Sequence, residues 1–211
     1  MNNESGTVHL RSHNKALVTI AIVTMVVGCD ALRSGDRTWS EEVALDDGSV
    51  ITIDRHVEQL MSSSIGGGAF SGTETASTLA FRGDLAALPQ WNVPLMPLLL
   101  YRDSESAEWV IVATSTTCEV WYRRGMPEGH YWEFRLRGAE WIEVPLSETS
   151  FGRRTNLLFE YTEPLPAKHI TLSTKAWLHS RDQLERFRVV QRGVRACAPL
   201  TGRPQRAPEQ R

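Results

Sequence analysis

The sequence has no strong excess of charge of either sign, and this balance excludes one class of partner. Its 211 residues carry 23 Lys and Arg against 25 Asp and Glu, so the formal net charge is -2. A protein that neutralises nucleic-acid phosphates needs a clustered positive excess, which this balance does not provide. We therefore expect no nucleic-acid partner. Apolar residues make up 41% of the chain, which is typical of a folded domain and not of a disordered chain.

The sequence also lacks the motifs that mark common catalytic and cofactor sites. It contains no GxxxxGK[ST] phosphate loop, no GxGxxG between a strand and a helix, no HExxH, no GxSxG and no EF-hand loop. The run Gly66-Gly67-Gly68 lacks the strand-to-helix context of a phosphate-binding loop and is interpreted as a linker. We expect neither a cofactor nor a metal site, and whether the protein is an enzyme stays open.

The apolar run near the N-terminus is too short to span a bilayer. Ala16–Val27 has twelve residues, and a helix of that length rises about 18 Å against a hydrocarbon core of about 30 Å. The run follows a polar stretch that carries Arg11, His13 and Lys15. A charged segment before a short apolar segment is typical of a signal peptide for export.

The next residues, Val26-Val27-Gly28-Cys29, resemble the lipobox of bacterial lipoproteins. In that family a branched apolar residue, a small or branched residue and Gly or Ala precede an obligatory Cys. The resemblance implies cleavage after Gly28 and a diacylglycerol on the sulfur of Cys29. Because two or more acyl chains hold a protein stably on a bilayer, we expect a lipid-anchored protein on the periplasmic or extracytoplasmic side. Asp30 resembles the signal that retains lipoproteins of enteric-type bacteria in the inner membrane.

This interpretation divides the chain into four parts. They are a signal peptide at 1–28, a lipidated tether at 29–38, a β-rich domain at 39–197 and a disordered tail at 198–211.

The lipoprotein interpretation also accounts for the odd number of cysteines, because the chain has three. With Cys29 as the lipid site, Cys118 and Cys197 remain as an even pair in an oxidising compartment, which favours a disulfide. The alternative is a catalytic cysteine, although neither residue lies in a nucleophile motif.

The pattern of the exported part predicts a mainly β fold, either a single antiparallel meander or sandwich or a partly open barrel. Alternating apolar residues on both sides of Asp47-Gly48 predict a hairpin over 42–55. The Ser-rich and Gly-rich stretch Met61–Ala76 has little apolar surface, and we expect a mobile loop there.

Further strands are expected where β-branched and aromatic residues cluster between turn signals. The predicted strands are Thr78–Arg82, Leu98–Tyr101, Trp109–Thr114, Cys118–Arg123, Tyr131–Arg137, Trp141–Leu146 and Leu157–Tyr161. A short C-terminal helical segment is predicted over Ser173–His179, with Ser173 as its N-cap, and a second turn over Gln183–Arg188.

Two pairs of histidine and carboxylate are possible general-base sites. Asp54 and His56 lie two residues apart and share one face of a strand. Glu128 and His130 flank Gly129 in a turn. Because no nucleophile is placed beside either pair, a surface ion pair is the competing interpretation of both.

Strand alternation sorts the residues of the meander onto two faces. The predicted inner set is Trp132, Phe134, Leu136, Ile142 and Val144. The predicted outer face holds six candidate binding residues: Trp121, Arg123, Tyr131, Arg135, Arg137 and Trp141. Trp, Tyr and Arg dominate binding hot spots and stack on sugar rings, whereas the competing interpretation is a stabilising ladder of ion pairs and cation–π contacts.

Together these features favour a non-catalytic lipoprotein that serves as an interaction or assembly module, with an envelope protein or glycan as its partner. Two other functions remain open. One is an envelope hydrolase whose site is built from residues distant in sequence. The other is a small-ligand binder whose lid is the Gly-rich loop at 62–72.

Overall fold

The computed structural model describes residues 36–62, 71–115, 117–158, 167–181, 187–194 and 197. Several predictions lie outside these residues. They are the signal peptide at 1–28, the lipid site Cys29, the glycine run 66–68, the end of the predicted strand at 159–161, most of the second helical turn at 183–186, and the tail at 198–211.

The described residues form a mainly β fold, as the sequence pattern predicts. The elements are β1 (Arg37–Ala44), β2 (Val50–Ser62), β3 (Ser71–Phe81), β4 (Trp91–Val93), β5 (Met96–Arg102), β6 (Trp109–Thr114), α1 (Cys118–Arg123), β7 (Tyr131–Arg137), β8 (Glu140–Val144), β9 (His169–Ile170) and α2 (Leu172–Arg181). The first strand begins at Arg37, two residues before the predicted start of the domain.

The strands form two sheets. One has five strands in the order β4-β3-β2-β1-β9, and the other has four in the order β5-β6-β7-β8. All neighbours are antiparallel except β1 and β9, which are parallel. The four-stranded sheet is a simple meander because each strand pairs with the next in the chain. A core cluster takes side chains from both sheets, so the architecture is a sandwich.

The predicted hairpin over 42–55 is confirmed, and its strands extend beyond these limits. β1 and β2 pair from Arg37 opposite Val57 to Ala44 opposite Val50. In the connecting turn, the carboxylate of Asp47 accepts hydrogen bonds from the backbone N–H and the hydroxyl of Ser49, at 2.9 and 2.6 Å. Gly48 has a φ of +84°, a conformation that glycine adopts without steric cost.

The prediction of a mobile loop over Met61–Ala76 is wrong at both ends. β2 continues to Ser62, and β3 begins at Ser71, directly opposite it. The prediction failed because it required apolar burial for order, whereas backbone pairing between two long strands also orders polar residues.

The strand predicted over Cys118–Arg123 is also wrong, because these residues form α1. The hydroxyl of Thr117 accepts a hydrogen bond from the backbone N–H of Val120 and caps the helix. Glu119 and Arg123 form an i,i+4 ion pair at 3.6 Å. A run this short carries no decisive periodicity, so the pattern alone does not separate helix from strand.

Smaller differences concern the ends of elements. β4 was not predicted, β8 ends at Val144, and Leu157 and Leu158 lie outside the strands. The predicted C-terminal helix is present as α2 and is longer than expected. Thr171, not Ser173, accepts the hydrogen bond from the backbone N–H of Thr174 at the start of this helix.

Three apolar clusters hold the described part of the chain together. The largest lies between the two sheets and includes Ile53, Trp91, Ile111 and Phe134. The second covers the outer face of the four-stranded sheet, where residues 187–194 pack on side chains of β5, β6 and β7. In the third, Leu178 of α2 packs with Trp39 and Val57 at the β9 end of the five-stranded sheet.

The side chain of Asn156 joins the two sheets by hydrogen bonds. Its oxygen accepts from the backbone N–H of Leu100 at 2.9 Å. Its nitrogen donates to the backbone oxygens of Leu100, at 2.7 Å, and of Ala44, at 3.0 Å. Asn156 therefore covers the backbone of the edge strand β5 and attaches that strand to β1.

We expect the Asn156→Ala variant to lose about 2 to 3 kcal/mol of unfolding free energy, because each of three hydrogen bonds contributes about 1 kcal/mol. Urea denaturation measures this loss. Asn92→Ala is the matched control, because Asn92 is exposed on the short edge strand β4, and it should change stability by less than about 0.5 kcal/mol. Equal stability of the two variants would contradict this role of Asn156.

Candidate functional site

The structure buries two of the three aromatic candidates of the predicted binding face and partly buries the third, Trp141. Trp121 is buried, stacks on His130 with ring centroids 4.4 Å apart and donates its indole N–H to the backbone oxygen of Pro127. Tyr131 is buried beneath residues 187–194. Trp141 stacks on Phe81 and donates to the backbone oxygen of Pro89.

The predicted alternation of β8 is shifted by one residue. Leu136 lies opposite Trp141, so Trp141 shares the inner face with Trp132 and Phe134. Ile142, predicted to point inward, is instead on the outer face and 39% exposed, and Val144 lies on that face with it. The two-residue turn between Arg137 and Glu140 sets this register, and a shift of one residue moves every side chain to the other face.

Arg135 is the centre of a nearly buried ion cluster and has only 12% of its side chain exposed. Its guanidinium contacts Asp103 at 2.8 Å, Glu108 at 3.1 Å and Glu133 at 2.7 Å. Glu133 is fully buried, and its other oxygen accepts from the hydroxyls of Ser147 and Ser150 at 2.8 and 2.7 Å. The carboxylates around Arg135 therefore neutralise its charge within the fold.

The cluster lowers the pKa of two carboxyl groups. For Asp103 the largest cause is the backbone N–H of Glu105, and the Arg135 hydrogen bond adds to it. For Glu108 the largest cause is the hydrogen bond from Arg135. Both carboxylates are therefore ionised at neutral pH.

Of the six candidate binding residues, only Arg123 and Arg137 are mainly exposed, at 70% and 53%. Arg123 lies on α1 and pairs with Glu119, whereas Arg137 ends β7 and pairs with Glu108 at 3.2 Å. The six residues therefore do not form one exposed face. The error follows from treating Cys118–Arg123 as a strand and from the shifted register of β8.

Asp54 and His56, which were predicted to pair with each other, contact other residues. Asp54 accepts from Arg82 at 2.7 Å, and His56 shares a hydrogen bond with the hydroxyl of Thr38 at 3.0 Å. His130 packs on Trp121, and the side chain of its predicted partner Glu128 lies outside the described part of the structure.

The structure also brings together Ser40, His169 and Glu42, a group that no sequence pattern predicts. The hydroxyl of Ser40 lies 2.8 Å from Nδ1 of His169. Nε2 of His169 lies 3.8 Å from Glu42, beyond hydrogen-bond distance. Glu42 instead accepts the backbone N–H of Leu172 at 2.9 Å and so caps α2. The carboxylate therefore anchors a helix and does not orient the imidazole as a general base.

Two open clefts remain as candidate binding sites. The first, which we call the arginine cleft, has a volume of about 610 Å³. In it Arg124 lies over Trp132 at 5.5 Å, and Arg192 lies over Phe151 at 4.3 Å. Each guanidinium also pairs with a glutamate, Glu143 or Glu148 respectively. Its charges are thus balanced within the protein.

The second cleft is larger, at about 830 Å³, and we call it the hairpin groove. Three turns line it: the β1–β2 turn at 45–51, a 3-10 turn near 84–85 and the β5–β6 turn at 102–109. Arg153 forms part of the wall, where it pairs with Asp46 and lies over the ring of Tyr101 at 4.0 Å. Clefts of 300 to 1,000 Å³ are typical of ligand sites.

Within the described ranges, no group of three or more His, Cys, Asp or Glu side chains is arranged to hold a metal ion. None of the helices in that part of the chain has the length and apolar content to cross a membrane.

Cys118 and Cys197 form the predicted disulfide. The bond joins α1 to the segment that follows residues 187–194, and it closes a loop with a sequence separation of 79. Cys197 also belongs to the core cluster between the sheets. The bond therefore fixes the C-terminal covering segment to the sandwich.

We expect the double variant Cys118→Ser, Cys197→Ser to lose about 2 to 4 kcal/mol of unfolding free energy, because the unfolded chain regains the entropy of an open loop. Urea denaturation of the double variant and of the reduced wild type should give the same midpoint. Two reactive thiols besides Cys29 in the denatured, unreduced wild type would contradict the bond.

Comparisons of this chain with protein-family models, curated proteins and solved structures found no match.

Proposed function

We propose that the protein is a lipid-anchored extracytoplasmic lipoprotein and that its β sandwich is a binding module for an envelope partner. The observation that carries this proposal is the Cys118–Cys197 disulfide. Such bonds persist in oxidising compartments outside the cytoplasm. The same bond uses both cysteines other than Cys29, which leaves that residue for the lipid.

Binding is favoured over catalysis by the partners of the reactive side chains. Asp54 pairs with Arg82, and Glu42 caps α2. Burial lowers the pKa of His179 to about 4, far below the value near 7 that suits a general base at physiological pH. In contrast, the hairpin groove is a preformed concave surface, and such a surface is suited to recognition.

The intact mass of the protein extracted from membranes tests the anchor. We expect a mass that lacks residues 1–28 and includes at least two acyl chains, and we expect Cys29→Ala to lose both the lipid and membrane retention. The variant Cys118→Ser, Cys197→Ser is the matched cysteine control and should keep its lipid. A wild-type protein that retains residues 1–28 and carries no lipid would overturn the proposal.

A further inference from the structure

We infer that the hairpin groove binds a basic peptide segment of a partner protein, in which a Lys or Arg lies beside an apolar residue. This inference rests on the proposed function for its biological setting, but its chemistry depends only on the groove. Two features support it: an apolar surface left partly uncovered and an excess of carboxylates around that surface.

The floor of the groove is apolar. Leu45, Ile51, Leu85 and Trp109 line it, and all four are partly buried against the core between the sheets. Val50 completes the surface with 51% of its area exposed, and it is one of three exposed large apolar side chains among the described residues. An uncovered apolar surface of this kind, rimmed by polar groups, marks a binding site.

The rim of the groove is acidic. Asp46, Asp47 and Asp84 all line it. The hydroxyl of Ser49, followed by its backbone N–H, lowers the pKa of Asp47, so that carboxylate is ionised at neutral pH. Asp84 has no ion-pair partner within the described part of the chain. Its carboxylate is therefore available to a cation from outside.

The surroundings of the groove add to the negative charge. The Arg135 cluster adjoins it through Asp103, which belongs to both. Together the groove and the cluster contain more carboxylates than guanidinium groups. The carboxylates are Asp46, Asp47, Asp84, Asp103, Glu108 and Glu133, and the guanidinium groups are Arg102, Arg135, Arg137 and Arg153. Of the charged side chains that line the groove itself, four are carboxylates and two are guanidinium groups, and this excess of negative charge favours a cation.

The walls of the groove are fixed before any ligand arrives. The carboxylate of Asp103 accepts the backbone N–H of Glu105 at 2.9 Å and so fixes the β5–β6 turn. The guanidinium of Arg102 donates to the backbone oxygen of Ala107 at 3.1 Å in the same turn. A preformed wall reduces the entropy lost on binding.

These features specify the ligand by charge and shape. An ammonium or guanidinium group is complementary to Asp84 and Asp47, and the ring of Trp109 favours a cation over its face. An adjacent apolar side chain covers Val50 and Leu85. An anionic ligand meets repulsion from the same carboxylates. The arginine cleft is the less specific candidate because each of its cations already has a glutamate partner.

Calorimetric titration of the full-length protein in detergent tests the inference with four probes. They are the peptide acetyl-Leu-Lys-Leu-amide, its Glu counterpart acetyl-Leu-Glu-Leu-amide, n-hexylamine and hexanoate. We expect saturable binding of the Lys peptide that weakens as salt is added, weaker binding of hexylamine, and no binding of the two anions. If hexylamine binds as tightly as the Lys peptide, the peptide assignment is overturned. Binding of the Glu peptide with equal affinity overturns the cationic assignment.

Asp84→Asn should weaken binding of the Lys peptide by about three- to fivefold, as expected for one partly exposed ion pair. Glu140→Gln is the matched control, since Glu140 is an exposed carboxylate on β8 outside the groove, and it should leave the affinity unchanged. If Asp84→Asn binds like the wild type, or if no cationic probe binds up to millimolar concentrations, the inference fails. The mass measurement on Cys29 is independent of these titrations, so failure of the groove and failure of the anchor are distinguishable.

Discussion

Replacing Arg135 with methionine should lower the free energy of unfolding by about 3 to 5 kcal/mol, the usual cost of removing one partner from a buried ion pair. The variant leaves the carboxylates of Asp103, Glu108 and Glu133 close together, with no guanidinium between them. Urea denaturation at neutral pH measures the loss. The matched control is Arg123→Met, which removes an exposed cation and should cost less than about 0.5 kcal/mol.

The pH dependence of this loss distinguishes the electrostatic contribution of the ion cluster from the contribution of packing. In the wild type, the lowered pKa values of Asp103 and Glu108 stabilise the fold above pH about 4, and this stabilisation disappears as the pH falls below that value. In Arg135→Met, repulsion raises the pKa values of the same carboxyl groups. The stability difference between the two proteins should therefore shrink as the pH falls toward 4. A difference that does not change with pH would contradict this account.

The second large effect is expected at Glu41, which is fully buried between two cations. Its carboxylate accepts from Arg55 at 2.9 Å and also pairs with the ammonium of Lys175, which α2 supplies. The Glu41→Gln variant leaves Arg55 and Lys175 buried without a counter-charge, so we expect a loss of about 3 to 5 kcal/mol of unfolding free energy. Asp54→Asn, which breaks the more exposed pair with Arg82, is the control and should cost less than about 1 kcal/mol.

Acid should also destabilise the wild type through Glu41. Burial disfavours the charged carboxylate, but Lys175 and Arg55 outweigh burial and hold its pKa below the ordinary value. Its contribution is present above pH about 4.3 and is lost as the pH falls through the lowered pKa. Glu41→Gln should therefore show a weaker loss of stability in acid than the wild type, and an identical acid profile would contradict the role of this carboxylate.

The sequence contained a signal for these buried charges. Trp39, Glu41 and Val43 alternate along β1, so Glu41 must share the face of two apolar residues. Arg55 lies in the same way between Ile53 and Val57 on β2. Strict application of the two-residue period therefore predicts a charged pair inside the sandwich. The hairpin over 42–55 was predictable for a related reason, because its turn residues and its alternation agree.

The hydrophobic pattern of the sequence does not predict other features, because these depend on contacts between residues far apart in the chain. α1 is a single short helix whose capping hydroxyl and disulfide override a composition that is equally compatible with a strand. The register of β8 depends on a two-residue turn at Gly138 and Ala139, and a shift of one residue reversed the predicted faces. The hairpin groove is formed by three turns far apart in the chain, so no local sequence motif predicts it.

The order of the elements along the chain has a consequence for how the protein is made. Residues 187–194, which cover the outer face of the four-stranded sheet, follow all nine described strands in the sequence. In a chain that is exported from its N-terminal end, these residues emerge after all of the described strands. Until then Tyr101, Val110 and Val112 have no cover, and Cys118 has no partner. On the proposed export route, an apolar sheet face and the thiol of Cys118 are therefore both exposed until residues 187–194 and Cys197 arrive.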